Sequence, residues 1–182
     1  MKLRIIAGSL KRRKIEFTGT AAQFRPTKDR VRESVADYLH ARTDDAFVAD
    51  MCAGSGAFGF EMASRGARSV HFVEKNLKRC GRIDFYIQHF EIEEQCRIFR
   101  MDIRTFLKSC SHTYDIIYFD PPYDNDALAE LVPNILPIVA PQGIFIYERR
   151  RQRTCIPERV EDFTIEDRTY GDTTVSFFTH TF

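Results

Sequence analysis

The chain has 182 residues, 43% of them hydrophobic and 29% charged, with 27 Lys and Arg against 26 Asp and Glu. This composition predicts one globular domain and excludes a largely disordered chain. No apolar run approaches the ~20 residues of a membrane span, and the charged start Met1–Arg4 does not resemble a secretory signal, so we expect a cytoplasmic protein. The five widely spaced cysteines form no C-x-x-C pair and predict neither a disulfide framework nor a zinc site.

The balanced net charge conceals a strong segregation of charge along the chain. Residues 1–32 carry ten basic and two acidic groups, whereas the remainder carries 17 basic and 24 acidic groups. A basic segment on an acidic body suggests contact with a polyanion. From charge alone, a solvated basic arm is an equal alternative.

The first part of the chain predicts two short strands, a loop and a helix. In order, these are residues 3–6, 14–17, 18–26 and 28–42. Gly8 and Ser9 mark a basic turn between the two strands. Thr27 is a plausible helix N-cap with Asp29 in the first turn, and the apolar side chains that follow recur at helical spacing.

From residue 47 onward, short apolar runs alternate with helical patterns. The expected strands are 47–49, 70–73, 96–99, 116–119 and 144–147, and the expected helices are about 57–65, 76–90 and 126–139. Short apolar runs are typical of parallel strands buried on both faces, so this alternation predicts a doubly wound, Rossmann-like α/β fold. Two final runs, 163–166 and 174–178, predict a closing antiparallel hairpin through Tyr170-Gly171-Asp172.

A glycine-rich loop follows the first strand of this α/β pattern. Gly54, Gly56 and Gly59 satisfy G-x-G-x-x-G, and Glu74 ends the next strand, where an acid can accept hydrogen bonds from ribose hydroxyls. This pattern fits both a nicotinamide dinucleotide and S-adenosylmethionine. Asp50, just ahead of the glycines, favours S-adenosylmethionine, because a carboxylate attracts an ammonium and a sulfonium but repels a pyrophosphate.

The most specific motif is Asp120-Pro121-Pro122-Tyr123, at the end of the fourth of these strands. Ligands of open α/β sheets bind at the carboxyl ends of the strands, so this motif should face the glycine loop. The prolines have no N–H, which leaves the Asp120 carboxylate and the Pro121 carbonyl as acceptors for a substrate NH2 group. Two such acceptors would aim the amine lone pair at a methyl group. Tyr123 offers a face for base stacking, and a paired base would first be flipped out.

The sequence alone allows two roles for several polar residues. Asp102 suits either a hydrogen bond to an adenine amine or an N-cap for a helix that begins at Ile103. Arg149, Arg150, Arg151 and Arg153 form either a second phosphate contact or a solvated loop. The five histidines show no metal-ligand spacing.

These motifs resemble the amino-group N-methyltransferases that use S-adenosylmethionine, and the flanking segments resemble the RsmD family. The segments that carry the resemblance are Arg4–Gly8, Arg13–Ile15, Arg25–Glu33, Ala53–Ala57, Glu61 and Ser64–Ala67. Members of that family methylate the exocyclic N2 of a guanine in small-subunit ribosomal RNA. The resemblance implies a class I methyltransferase fold, with residues 1–26 as a basic extension and 27–182 as the catalytic domain. It also implies a monomer without a metal, which converts S-adenosylmethionine to S-adenosylhomocysteine on RNA within a ribosomal subunit or assembly intermediate.

The resemblance further implies three sets of site residues. The catalytic set is Asp120, Pro121, Pro122 and Tyr123. The cofactor set is Asp50, Cys52, Ala53, Gly54, Ser55, Gly56, Glu74, Lys75, Asp102, Ile103 and Asp120. The RNA-binding set is Arg4, Lys11, Arg12, Arg13, Lys14, Arg25, Thr27, Arg30 and Arg32.

Four positions depart from the family pattern. Leu10 and Arg12 stand where Trp and Gly are usual, and Cys52 and Tyr86 where Phe and Asn are usual. We expect Arg12 only to add charge and Cys52 to alter packing near the cofactor without acting as a nucleophile. No role is assigned to Tyr86.

Three other functions compete with this one. An adenine or cytosine amino-methylase acting on DNA would keep the chemistry, but the RsmD-like flanks argue against it. A nicotinamide-dependent oxidoreductase explains neither Asp50 nor the motif at 120–123. A non-catalytic RNA-binding protein does not explain why that motif is intact.

Overall fold

The computed structural model of the protein describes residues 2–16, 26–122, 126–151, 160 and 162–181. The predicted site residues Arg25 and Tyr123 lie outside the described residues, as do Arg153, Phe17 and the loop 18–25. Of Thr27, the described part is the backbone.

The strands form two sheets. The strands β1 (Lys2–Arg4) and β2 (Lys14–Glu16) pair antiparallel, with Leu3 opposite Ile15. The main sheet contains β3 (Phe47–Met51), β4 (Ser69–Val73), β5 (Cys96–Phe99), β6 (Tyr114–Phe119), β7 (Val139–Arg150), β8 (Phe163–Tyr170) and β9 (Thr173–His180). Its strand order is β5-β4-β3-β6-β7-β9-β8, with β3 to β7 parallel and β9 antiparallel to both of its neighbours. The predicted mostly parallel sheet with an antiparallel C-terminal hairpin is confirmed.

The helices are mostly where the apolar spacing predicted them. They are α1 (Pro26–Tyr38), α2 (His40–Thr43), α3 (Ala57–Ser64), α4 (Leu77–His89), α5 (Ile103–Ser109), α6 (Asp126–Ala129) and α7 (Val132–Ile135), and a 3₁₀ turn covers Leu136–Ile138. The single helix expected over 126–139 is wrong. Pro133 and Pro137 lack the N–H that a continuous helix needs at those positions, and the chain is already in β7 at Val139. The helix expected over 28–42 is likewise divided at Leu39.

Helices cover both faces of the main sheet. Alternate strand residues point to opposite faces, and Val48 and Ala49 accordingly belong to different hydrophobic clusters. Helices α1, α3 and α4 pack on the face of Val48, and α5 and α7 pack on the face of Ala49. This arrangement is the predicted doubly wound fold.

The C-terminal hairpin closes through the turn that the sequence predicted. Tyr170 pairs with Thr173, so Gly171 and Asp172 form a two-residue loop. Gly171 has a φ of 62°, and glycine at the first central position is typical of a type II′ turn. β9 then inserts between β7 and β8, which places an antiparallel edge beside the parallel strands.

Candidate active site

The chain reverses its winding direction at β3, and this topology places the candidate site. β3 lies between β4 and β6 and is parallel to both, with Met51 opposite Val73 on one side and Phe119 on the other. Glu74 and Asp120, which follow those partners, therefore leave the sheet on either side of the glycine loop. Open α/β sheets bind their ligands in the crevice at such a switch point. The structure thus brings together the two motifs that the sequence singled out.

Left-handed backbone and close packing shape the glycine loop. Cys52, Gly54 and Gly56 have φ values of 62°, 58° and 73°, a region that only glycine adopts without strain. Gly59, by contrast, serves packing, since a Cβ there would overlap the ring of Phe72. The third glycine of the motif therefore lets α3 approach β4 closely.

Asp50 supports the loop from beneath. Its carboxyl is almost fully buried, and Oδ2 accepts a hydrogen bond of 3.0 Å from the backbone N–H of Gly59. Gly59 lies in the first turn of α3, whose N-cap residue Gly56 has no side chain to accept such a bond. Loss of hydration and, to a smaller extent, the negative charges of Asp120 and Glu74 together raise the pKa of Asp50 to about 8 despite this bond.

Glu74 holds the loop from the neighbouring strand. Its Oε2 accepts from the N–H of Gly54 at 2.9 Å, and Oε1 accepts from the N–H of Asn76 at 2.8 Å. Ala53 also donates to the Val73 carbonyl at 3.1 Å, so the loop is anchored to the end of β4. A carboxylate oxygen has two lone pairs, and each oxygen of Glu74 therefore retains capacity for a ribose hydroxyl.

The thiol of Cys52 lies among the four acids that the sequence assigned to the cofactor. Burial and, to smaller extents, the charges of Glu74, Asp120, Asp50 and Asp102 together raise its pKa to about 12. A thiol with such a pKa is protonated at neutral pH and is not a nucleophile. The expectation that Cys52 is not a nucleophile agrees with this environment.

Asp102 caps a helix, one of its two predicted roles. Its Oδ1 accepts from the N–H of Arg104 at 2.9 Å, which is the N-cap interaction of α5. Its Oδ2 lies 3.8 Å from Nζ of Lys75, and the side chain remains 32% exposed. Ile103, the next residue, is buried. The adenine contact stays a prediction, and the cap leaves Oδ2 for it.

Three aromatic and acidic residues behind Asp120 were not identified from the sequence. Tyr118 is buried, donates to Oε2 of Glu148 at 2.6 Å and stacks on Phe58 with ring centroids 4.1 Å apart. Burial, followed by the charge of Glu148, holds the pKa of Tyr118 well above 10. Because Phe58 lies in the first turn of α3 and Tyr118 lies two residues before Asp120, the stack joins the two halves of the site. The sequence feature that could have pointed to this pair is Glu148, an acid that directly follows the apolar run 144–147.

The tetrapeptide itself is described up to its second proline. Asp120 is half-buried, Pro121 is buried and Pro122 is exposed. The chain therefore reaches the surface only after Pro121, and the Asp120 carboxylate lies close enough to Asp50 and Cys52 to raise the pKa of both.

The predicted RNA-binding residues divide into exposed and buried ones. Arg4, Lys11, Arg12, Arg13, Lys14 and Arg30 are exposed. Arg32, which belongs to α1, is only 8% exposed. Its role in positioning the RNA stays a prediction.

The β1–β2 hairpin is attached to the far end of the helix that carries the glycine loop. Glu61 of α3 is buried and accepts from the N–H groups of Ile6 and Ala7 at 2.8 and 3.1 Å. Ser64 accepts from Leu10 N at 2.9 Å through Oγ and from Ser9 N at 2.8 Å through its carbonyl. One helix therefore positions both the loop and the basic hairpin.

Two departures from the family pattern have structural consequences. Arg12 has a φ of 73°, so it occupies a conformation that favours the usual glycine and does more than add charge. Tyr86 is buried on α4, and its hydroxyl accepts from the N–H of Glu16. Tyr86 therefore fastens β2 to α4.

Among the helices of the described residues, none is long and apolar enough to cross a membrane. In the same part of the chain, no group of three or more His, Cys, Asp or Glu side chains is placed to hold a metal ion.

Comparison with known proteins identifies the family. Residues 3–179 match the family described as Conserved hypothetical protein 95. The Ribosomal RNA small subunit methyltransferase D of Buchnera aphidicola is 30% identical over 86% of this chain and 83% of its own length. A Bacillus subtilis protein described as a candidate rRNA methyltransferase, YlbH, is 29% identical over 97% of this chain and 98% of its own.

A solved structure supports the same fold. An Escherichia coli protein described as a candidate methyltransferase superposes with a TM-score of 0.86 at 24% identity, over 99% of this chain and 98% of that one. The family match spans the hairpin, the glycine loop and the tetrapeptide together. The chain therefore belongs to the Conserved hypothetical protein 95 family, the RsmD family that its motifs indicated.

Proposed function

We propose that this protein transfers a methyl group from S-adenosylmethionine to the exocyclic N2 of a guanine in small-subunit ribosomal RNA. The observation that carries the proposal is the position of Asp120, which leaves β6 beside the glycine loop that β3 presents. Relatives named for small-subunit ribosomal RNA methylation support the substrate class. In this proposal residues 1–26 are the RNA-binding extension and 27–182 the catalytic domain.

The chemistry of the crevice suits a positively charged nucleoside cofactor. Glu74 is fixed by two backbone N–H groups and retains acceptor capacity for ribose hydroxyls. The negative charges of Asp120 and Glu74 lie close enough to Asp50 to disfavour its ionisation. A cation in the crevice would relieve that repulsion, whereas the pyrophosphate of a nicotinamide dinucleotide would increase it. When bound, S-adenosylmethionine supplies an electrophilic methyl group on a positively charged sulfur.

The protein's own contribution is to orient the target amine. The Asp120 carboxylate accepts one N2–H of the guanine and the Pro121 carbonyl accepts the other. These contacts draw the nitrogen lone pair out of conjugation and aim it toward the glycine loop. As the new N–C bond forms, the bond between the methyl group and the cofactor sulfur would break and leave a neutral thioether. The amine would then lose a proton, which the Asp120 carboxylate accepts and passes to solvent.

The exposed basic residues of the hairpin supply the affinity for RNA. Lys11, Arg12, Arg13 and Lys14 surround the turn and the start of β2, and Lys and Arg side chains there would neutralise phosphates. Since α3 fixes this hairpin through Glu61, the phosphates that it holds would lie at a set distance from the crevice.

A direct assay tests the proposal. The protein is incubated with methyl-labelled S-adenosylmethionine and either naked small-subunit RNA, assembly intermediates, finished subunits or duplex DNA, and the labelled nucleoside is then identified. We expect N2-methylguanine from at least one ribosomal substrate. Label in adenine or cytosine of DNA would instead support the alternative amino-methylase, and no label from any RNA substrate would overturn the proposal.

A further inference from the structure

One face of α4 exposes an aromatic ring that lies between a guanidinium group and an imidazole ring. Phe85 is 50% exposed, and the ring of His89 stacks on it with centroids 5.8 Å apart and planes 10° apart. The guanidinium carbon of Arg82 lies 5.2 Å from the centroid of the Phe85 ring. Residues three and four apart share a face of a helix, so Arg82, Phe85 and His89 form one continuous stripe. We call it the α4 stripe.

The α4 stripe is joined to the basic hairpin by hydrogen bonds. Arg82 Nε donates to the carbonyl of Glu16 at 2.9 Å, and Arg82 Nη2 donates to the hydroxyl of Tyr86 at 3.3 Å. The Glu16 carboxylate is paired with Lys2 at 2.9 Å and lies 4.0 Å from Arg82. The charge of Glu16 is therefore offset by two cationic side chains.

The position of the stripe relates it to the crevice. α4 begins beside Glu74, where Asn76 caps the helix and donates its backbone N–H to Glu74. Phe85 follows Asn76 by nine residues, which corresponds to about 13 Å along the helix axis. An extended strand of nucleic acid that enters the crevice could therefore also reach Phe85.

We propose that the α4 stripe is a second RNA contact, at which an unpaired base near the methylated nucleotide stacks on Phe85. This inference rests on the proposed function for the identity of the RNA. A half-exposed aromatic ring beside a guanidinium fits a single strand, because each base has a face to stack and each nucleotide a phosphate to neutralise. A duplex hides its base faces within the helix, so the positive hairpin could hold it only through phosphates.

Binding of a short RNA separates stacking from charge. The probe is a fluorescently labelled single-stranded oligoadenylate of about ten nucleotides, compared with its duplex. The variants are Phe85→Ala, Phe85→Leu as an apolar side chain without a ring, and Phe85→Tyr as the conservative aromatic. We expect both Ala and Leu to weaken single-strand binding by about 5- to 100-fold and Tyr to bind as the unaltered protein does.

Salt dependence provides a second readout that a general folding defect would not reproduce. The Phe85 variants should keep the slope of affinity against salt, because no phosphate contact is lost, whereas Lys14→Ala should reduce it. Duplex binding should be equal in all Phe85 variants. Wild-type affinity in Phe85→Leu would overturn the proposal, since it would show that apolar area, as for a protein partner, is what matters.

Methylation kinetics distinguish this inference from the proposed function. With a ribosomal substrate, Phe85→Ala should raise KM for RNA and leave kcat and cofactor affinity unchanged. If the unaltered protein methylates RNA but Phe85→Ala has the same KM, the α4 stripe is not a substrate contact. If the unaltered protein binds single strands through Phe85 but methylates no RNA, the proposed function is overturned. The α4 stripe then still stands as a site that binds single strands.

Discussion

The carboxyl of Asp50 accepts a hydrogen bond from the backbone N–H of Gly59, nine positions later in the chain, at 3.0 Å. The N-cap residue of α3 is Gly56, which has a φ of 73° and no side chain. A glycine is needed there for the loop, and a helix start without a capping acceptor leaves backbone donors unsatisfied. Asp50 supplies the acceptor from the end of β3, so the loop keeps its glycines and α3 keeps a cap.

This buried carboxyl predicts an unusual dependence of stability on pH. The pKa of Asp50 is about 8 in the folded protein against an ordinary value of 3.8. Between these values the folded state holds a proton that the unfolded state has released, so the free energy of unfolding falls as pH rises through that window. Asp50→Asn does not titrate. Thermal unfolding at several pH values should therefore show that the stability of the variant rises relative to that of the unaltered protein as pH rises. If stability depends on pH in the same way in both proteins, the raised pKa of Asp50 is contradicted. Glu93→Gln, which changes an exposed acid, is the control.

The role of Asp120 predicts a loss of turnover without a loss of cofactor. Removing a positioned proton acceptor typically lowers a rate by about 10²- to 10⁴-fold, and we expect this range for Asp120→Ala and Asp120→Asn. Calorimetric binding of S-adenosylhomocysteine should change little, since Glu74 and the glycine loop are intact. Turnover close to that of the unaltered protein in Asp120→Ala would refute the proposed orientation of the amine.

Much of the site could be predicted from the sequence because parallel topology places strand ends side by side. Glu74 and Asp120 each follow an apolar run, and any doubly wound order that reverses at β3 brings them to the glycine loop. The cap formed by Asp50 could not be predicted, because capping side chains ordinarily lie next to their helix and this one comes from the preceding strand.

The single helix expected over 126–139 shows what the sequence pattern could not predict. Its apolar spacing was correct, since Leu128, Val132 and Ile135 are all buried in one cluster. Periodicity reports which side chains face the core but not whether the backbone is continuous. Pro133 and Pro137 determined the continuity, and the segment folded as short pieces.

The hydrogen bond from Tyr118 to Glu148 predicts a coupled loss of stability and turnover. Tyr118→Phe removes a donor at 2.6 Å from a buried carboxylate, which should lower the free energy of unfolding by about 1–3 kcal/mol. Tyr118 immediately precedes Phe119 and Asp120, so kcat should fall while the affinity for S-adenosylhomocysteine is retained. Chemical denaturation and steady-state kinetics measure the two effects.

A matched variant separates the hydroxyl from the ring. Phe58→Leu removes the stacking partner of Tyr118 and leaves its hydroxyl bond in place. If kcat falls in Phe58→Leu but not in Tyr118→Phe, ring packing rather than the hydrogen bond positions the end of β6.

The left-handed conformation of Arg12 predicts opposite effects on stability and RNA binding. An L-residue in this region costs roughly 1–2 kcal/mol, so Arg12→Gly should stabilise the protein by an amount on the order of 1 kcal/mol. The same change removes a charge and should lower the salt slope of single-stranded RNA binding by about 0.7. Arg12→Lys should keep the slope without gaining stability. A more stable Arg12→Lys would show that the guanidinium side chain, and not the backbone, is the source of strain.

The attachment of the hairpin through Glu61 predicts that RNA binding can be weakened from within the core. Glu61 accepts from the N–H groups of Ile6 and Ala7, and Arg65 Nε donates to it at 2.7 Å. Glu61→Gln leaves one acceptor oxygen and removes the ion pair, and breaking a buried pair costs about 3–5 kcal/mol. We expect faster amide hydrogen exchange at Ile6 and Ala7, weaker binding of RNA and unchanged affinity for S-adenosylhomocysteine. Ser9→Ala removes only a longer hydroxyl contact of 3.4 Å to the Ser64 carbonyl and should change none of the three. If exchange rises but RNA affinity holds, the basic side chains bind RNA without a fixed hairpin.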